Sequence, residues 1–274
     1  MIPRTAAFCA IAALSLVSCG TAPQTAAAQR YETSLTVLEG GGHGPQLCAV
    51  VATSLPPQCE GPDVVGWDWT KVKHEWRGGV KWGEYRVVGT WDGARLTLTE
   101  PPGPPGKPPA AREVDFTSPC PEPQGGWRAV DPARATEKTL GKAMERAMTA
   151  AEFAGGWIDN FGPEPDPSKN MDARQYVLNL KFTGDLSGRE AWIREVWGGA
   201  LCLSGAQRSE AALNAIQRQV ESEVGDGLIS ASSSVTRNVL EVSVWLATDE
   251  LRRAVDAKHG AGVVVFDSVL RPVR

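Results

Sequence analysis

Residues 101–109 read PPGPPGKPP, and neither a helix interior nor a central strand can run through them. Each proline lacks the amide hydrogen that both ladders require, and each glycine brings no side chain to pack. The chain therefore divides here. Proline favours the polyproline II form, so the stretch predicts a semi-rigid spacer of roughly 25–30 Å. Two glycines are too few for a collagen-like repeat, and a docking peptide for an SH3-like module is out of place outside the cell. Proline and glycine continue through TSPCPEPQGG, so the linker spans 101–126 and carries Cys120.

Upstream, residues 31–100 read as strands. SLTVL, LCAVVA, VVGWDW, EYRVVGTW and RLTLT are short, rich in β-branched and aromatic residues, and separated by Gly or Pro clusters. Asp92-Gly93 between the last two marks a tight hairpin. It would set Tyr85, Val87, Gly89 and Trp91 on one face, with Leu96 and Leu98 opposite. About seventy residues in five short strands predict a small all-β barrel of the OB or SH3-like kind, stapled by a disulfide.

Downstream, residues 127–274 mix helices and strands, which makes the whole chain α+β. Asp131-Pro132 predicts a helix start, and Ser187 with Glu190 a capping box for a helix burying Trp192, Ile193, Val196 and Trp197. YVLNLKFT alternates, with Tyr176, Leu178, Leu180 and Phe182 inward. Ser209 opens a helix stopped by Gly225, and Thr248 opens another closed by Gly260. From 175 the order is β-α-β-α-β-β-α-β. Its last four elements are half of a ferredoxin-like sandwich, so one antiparallel sheet backed by helices is expected.

The N-terminus sets the address. MIPRTAAFCAIAALSLVSCG carries one basic residue, Arg4, followed by an apolar run. That run is too short for a membrane-spanning helix, which needs about 20 residues. Residues 1–18 read as a signal peptide. Leu16-Val17-Ser18-Cys19 resembles the lipobox of bacterial lipoproteins, which implies acylation of Cys19, a tether over 19–30, and attachment to the outer face of a membrane. Cleavage at Ala28 would instead leave a free secreted protein. With Cys9 removed and Cys19 acylated, Cys48, Cys59, Cys120 and Cys202 remain, and an even number in an exported chain reads as two disulfides. Cys48 and Cys59 pair across a short loop, leaving Cys120 for Cys202. A formal net charge of −4 with no basic stripe excludes nucleic acid and a polybasic membrane contact as partners.

Five of the ten tryptophans fall between Trp67 and Trp91. Trp67 and Trp91 suit a small core. Trp69, Trp76 and Trp82, the last two among Lys73, Arg77 and Lys81, are the candidate ligand-binding surface, for an envelope glycan or a secreted protein. His43, His74 and His259 have no HxH or HExxH spacing, so no metal set is expected. No nucleophile motif occurs, and no cofactor is expected. The acidic loop with Asp159, Glu164, Asp166 and Asp172 lacks the alternating order of a calcium loop. These features favour a binding protein over an enzyme.

The segments HGPQLC, PPQCEGPDVVGWDW, WGEYRVVGTWDG and FTGDLSGREAWIREVWGGALCLS resemble a family of uncharacterised actinobacterial envelope proteins and lipoproteins. That resemblance implies an exported, disulfide-bonded protein and no catalytic residue. The ending SASSSVTRNVLEVSVWLATDELRRAVDAKHG is similar, at the level of fold, to the propeptides of secreted serine proteases. An inhibitor or chaperone role for the C-terminal domain is the alternative this implies; an envelope hydrolase using carboxylates is a third.

Overall fold

A computed structural model describes residues 28–107, 113–162 and 172–273. The signal segment, Cys19, most of the tether, and Glu164 and Asp166 of the acidic loop lie outside the described residues. The fold is α+β.

The first half is built from β1 (Arg30–Gly40), β2 (His43–Cys48), β3 (Asp63–Val65), β4 (Glu75–Arg77), β5 (Val80–Trp91) and β6 (Arg95–Leu98). The long strand β1 pairs with β2 on one side and with β5 on the other, in continuous register from Arg30↔Thr90 to Glu39↔Lys81. Strand β3 runs antiparallel to β2 and parallel to β6, and β6 pairs with β5. The ring β1-β2-β3-β6-β5 therefore closes on β1, with β4 as a flap on β5. Alternation sends Val37, Leu47, Val64, Tyr85, Val87 and Leu96 into one core. The hairpin between β5 and β6 forms, but only Gly93 supplies a positive φ, of 103°; Asp92 stands at the shoulder of the turn, where its carboxylate accepts the N–H groups of Ala94 and Arg95 at 2.9 and 2.8 Å.

Two expected strands are shorter than their apolar runs. LCAVVA stops at Cys48, where the disulfide to Cys59 takes over from the ladder. VVGWDW stops at Val65, because Gly66 has a φ of 85°. A positive φ lies outside any strand conformation. Trp67 and Trp69 consequently share no strand.

In the second half the order helix, hairpin, helix, strand occurs twice. The first unit is α1 (Glu137–Met148), β7 (Phe153–Asn160), β8 (Tyr176–Thr183), α2 (Arg189–Arg194) and β9 (Ala200–Ala206). The second is α3 (Glu210–Val224), β10 (Leu228–Ser234), β11 (Val239–Val244), α4 (Asp249–His259) and β12 (Val264–Ser268). In each unit the first two strands are antiparallel, and the third returns parallel to the second. The result is two three-stranded mixed sheets in place of the single antiparallel sheet expected. Each crossover helix brings its strand back beside its own hairpin, and α3 contacts β7 of one sheet and β10 of the other. Leu178, Leu180 and Phe182 meet Ile193 and Trp197 in the first core; Leu240, Val242 and Val244 meet Leu213, Val220 and Val255 in the second.

Helix caps follow local chemistry. Ser209 and Thr248 cap α3 and α4 as expected, accepting the N–H groups of Ala212 and Leu251. Asp131-Pro132, however, starts a 3-10 turn over Pro132–Arg134, and Thr136 with Thr139 forms the capping box of α1. Ser187 bonds the Asp185 carboxylate and caps nothing; α2 starts after Gly188 with no side-chain cap.

The linker is anchored at both of its described ends. Gly103 exchanges two backbone hydrogen bonds with Arg86 of β5, and the Gly106 N–H donates to Ser34 Oγ at 3.0 Å. Farther on, Trp157 Nε1 donates to the Phe116 carbonyl at 2.8 Å, the Ser118 N–H donates to Asp159 at 2.7 Å, and Cys120 is bonded to Cys202. This strap crosses the outer face of sheet β7–β9. Val177 and Asn179 point away from the first core, and both are fully buried beneath it. The chain's last strand, β13 (Arg271–Pro272), pairs with β1, and Trp245 and Leu270 belong to the barrel core.

Candidate functional site

Asp68 starts a 3-10 turn over Trp69–Lys71 by accepting the Thr70 N–H at 3.0 Å and the Thr70 hydroxyl at 2.7 Å. These bonds, the hydroxyl's foremost, hold the Asp68 carboxyl below its ordinary value. The turn drives Trp69 inward: it is 8% exposed, and its Nε1 donates to Glu39 Oε2 at 2.7 Å. Trp67 stands edge-on to Trp69 at 5.2 Å and to Tyr85 at 4.9 Å, a geometry that aromatic pairs favour. The Tyr85 hydroxyl donates to the Lys73 carbonyl at 2.5 Å, and burial pushes the phenol's pKa up. These rings fill one end of the barrel. Toward the other end Trp91 lies 6.4 Å from Trp245, and the C-terminal half supplies Leu270 beside it.

Gly78 and Gly79, at φ of 57° and 83°, form a two-residue turn that folds β4 onto β5. Positive φ at both central residues is what such a hairpin turn requires. Composition around the lysines hides this strand, but EWR-GG-VKW is itself a hairpin signal. The register pairs Trp76 with Lys81 and Glu75 with Trp82. Residues opposite one another share a face and neighbours along a strand alternate, so Trp76 and Trp82 lie on opposite faces of the hairpin. Trp76 is 66% exposed, whereas Trp82 is half-buried opposite Leu38 of β1. Trp69, Trp76 and Trp82 therefore do not form one platform: one points into the core and the other two point apart. Strand β4 pairs with β5 alone, and all three of its residues are exposed.

The histidines are scattered. His43 is exposed at the start of β2, His74 lies against Val72 and Trp69, and His259 ends α4 beside Glu223 at 3.7 Å. Among the described residues no group of three or more His, Cys, Asp or Glu could hold a metal ion. Asp159 is taken by the strap, and Asp172 by Arg174 at 2.7 Å. Glu190 and Glu195 pair with Arg194 and Arg146. The flank of β1 and β5 carries a ladder in which Arg30 meets Glu100 at 2.6 Å and Arg86 Nε meets Glu32 at 2.8 Å.

One cleft of about 360 Å³ opens at the seam of the two repeated units. Its walls are Met144 and Met148 of α1, Phe153 of β7, Leu213 of α3 and Val235 of the β10–β11 turn. Gly155 and Gly156 form its floor, where a Cβ would crowd Val235 and Met144 beyond van der Waals contact. The sequence shows the helix and the glycines but not that α1 and α3, far apart along the chain, would face each other across them.

Among the described residues no helix is long and apolar enough to cross a membrane. No protein-family model matches this chain, and no curated protein matches it.

Proposed function

We propose that the protein is an exported, lipid-anchored binding protein of the cell envelope, non-catalytic, that engages a partner protein along the edge strand β4. The observation that carries this reading is Trp76, a largely exposed indole on an edge strand whose outward side has no neighbour among the described residues. An edge offers unpaired backbone donors and acceptors to an incoming extended segment, and a neighbouring aromatic side chain adds buried area. In a two-residue hairpin the closing pair, Arg77 and Val80, is bonded inward, which turns the N–H and C=O of Trp76 outward. Trp76 and Trp82, on opposite faces, cannot line one sugar ring together, and the outward backbone groups beside Trp76 favour an extended polypeptide.

Two further observations support the setting. The closed ring β1-β2-β3-β6-β5 with a parallel β3–β6 pair supports the reading of the N-terminal half as an OB-like barrel, a kind of fold that binds ligands on its outer surface. The lipobox at Cys19 and the resemblance to actinobacterial envelope lipoproteins favour an address outside the membrane, and two disulfides agree with it. The test is site-specific photocrosslinking in intact envelopes, with the crosslinker at position 76 and, in a second sample, at 82. A discrete protein adduct at 76 that is absent at 82, and is competed by excess wild-type protein, is expected. No adduct at 76, or equal adducts at both positions, overturns the reading.

A further inference from the structure

The cleft between the repeated units has features of a ligand site and lies far from the β4 edge in the chain. We infer that it binds a small apolar molecule bearing an amine or hydroxyl group, and that it rejects organic anions. Its volume is about 360 Å³. Clefts of that order take small molecules, and they are frequent where two structural units meet. The walls are apolar and adaptable. Met144 and Met148 stand one helical turn apart on α1, and Met148 is 59% exposed, an unusual exposure for so large an apolar side chain. Phe153 and Leu213, both buried, continue the apolar surface inward.

The mouth decides what the apolar body can carry. Its polar side chains are Glu210, Asn214 and Ser233, which bring one full negative charge and no positive one. No cation pairs with Glu210 among the described residues. A carboxylate or sulfonate entering here would meet the Glu210 carboxylate, whose charge the N-terminus of α3 offsets only in part, whereas an amine or hydroxyl would donate a hydrogen bond to it. Asn214 and Ser233 are exposed, so they offer polar contacts at the rim without a cost in burial.

Two fluorescent probes built on the same ring system test this with the purified protein: 1-aminoanthracene, a neutral amine, and anthracene-1-sulfonate, an anion. Saturable enhancement with the amine is expected, with at least tenfold weaker binding of the sulfonate. Asn214→Trp, at an exposed rim position, fills the mouth and is expected to weaken the amine at least tenfold. Glu210→Lys is expected to reverse the order of the two probes. Equal binding of both probes, absence of saturable binding of the amine, or an Asn214→Trp variant within twofold of wild type each overturns the inference. The far-ultraviolet circular dichroism of both variants checks that the fold is kept.

Discussion

Three tryptophans of nearly adjacent sequence have three different fates, and the difference lies in single backbone features. Gly66 leaves the strand conformation, Asp68 nucleates a turn, and Trp69 is thereby carried into the core against Glu39. Trp69→Ala is expected to destabilise the protein by about 3–5 kcal/mol, the cost of deleting a buried indole and leaving a cavity. Trp76→Ala is expected to stay within about 0.5 kcal/mol of wild type. Urea denaturation of the two variants measures both. A pH dependence follows from Asp92, whose carboxyl is held below its ordinary value by the Ala94 and Arg95 N–H groups. A lowered carboxyl contributes its stability above the ordinary carboxylate pKa and loses it as pH falls through the lowered value. Acid titration of thermal stability is therefore expected to show a loss below the ordinary aspartate range that shrinks in Asp92→Asn. The inward set Tyr85, Val87 and Trp91 was legible from alternation, because a strand's period of two needs no knowledge of its neighbours. The fate of Trp69 was not, because one glycine and one capping carboxylate decided it.

At the scale of elements, the sequence patterns located helices and strands more securely than their partners. The caps Ser209 and Thr248 and the stops Gly225 and Gly260 are local, and each acts where its chemistry predicts. The sheet partners are not local. The pattern β-β-α-β suggests a ferredoxin-like half, yet each half closes on itself with a parallel third strand. The strap shows the same dependence on distant contacts: proline excludes regular structure from it, but Asp159, Trp157 and Cys202 fix where it lies. The Cys120–Cys202 bridge closes a far longer loop than Cys48–Cys59, with a sequence separation of 82 against 11. Loop entropy gives the longer bridge about 4.5 kcal/mol and the shorter one about 3 kcal/mol. Replacing Cys120 and Cys202 together by Ser is expected to cost the larger amount and to expose 113–126 to proteolysis. Limited digestion with and without the bridge reads out the second effect; equal cleavage rates would contradict the pinned strap.

For the molecule as a whole, the two halves share a core. Trp245 and Leu270 complete the barrel interior, and β13 extends its sheet through β1. Trp245→Ala is therefore expected to lower the stability of the barrel and of the C-terminal half together, by about 3–5 kcal/mol, in one unfolding transition. Separate transitions for the two halves, followed by barrel and C-terminal probes, would contradict the shared core. The proposed role gives the same molecule a second dependence, on its compartment. Disulfides of this kind persist outside the reducing cytosol, and an exposed edge strand with an indole is useful only where a partner can reach it. Intact-mass spectrometry of the protein isolated from its native envelope tests that setting most directly. A mature chain beginning at an acylated Cys19, with Cys48, Cys59, Cys120 and Cys202 all oxidised, is expected. An unacylated chain with free thiols at these four positions would contradict it.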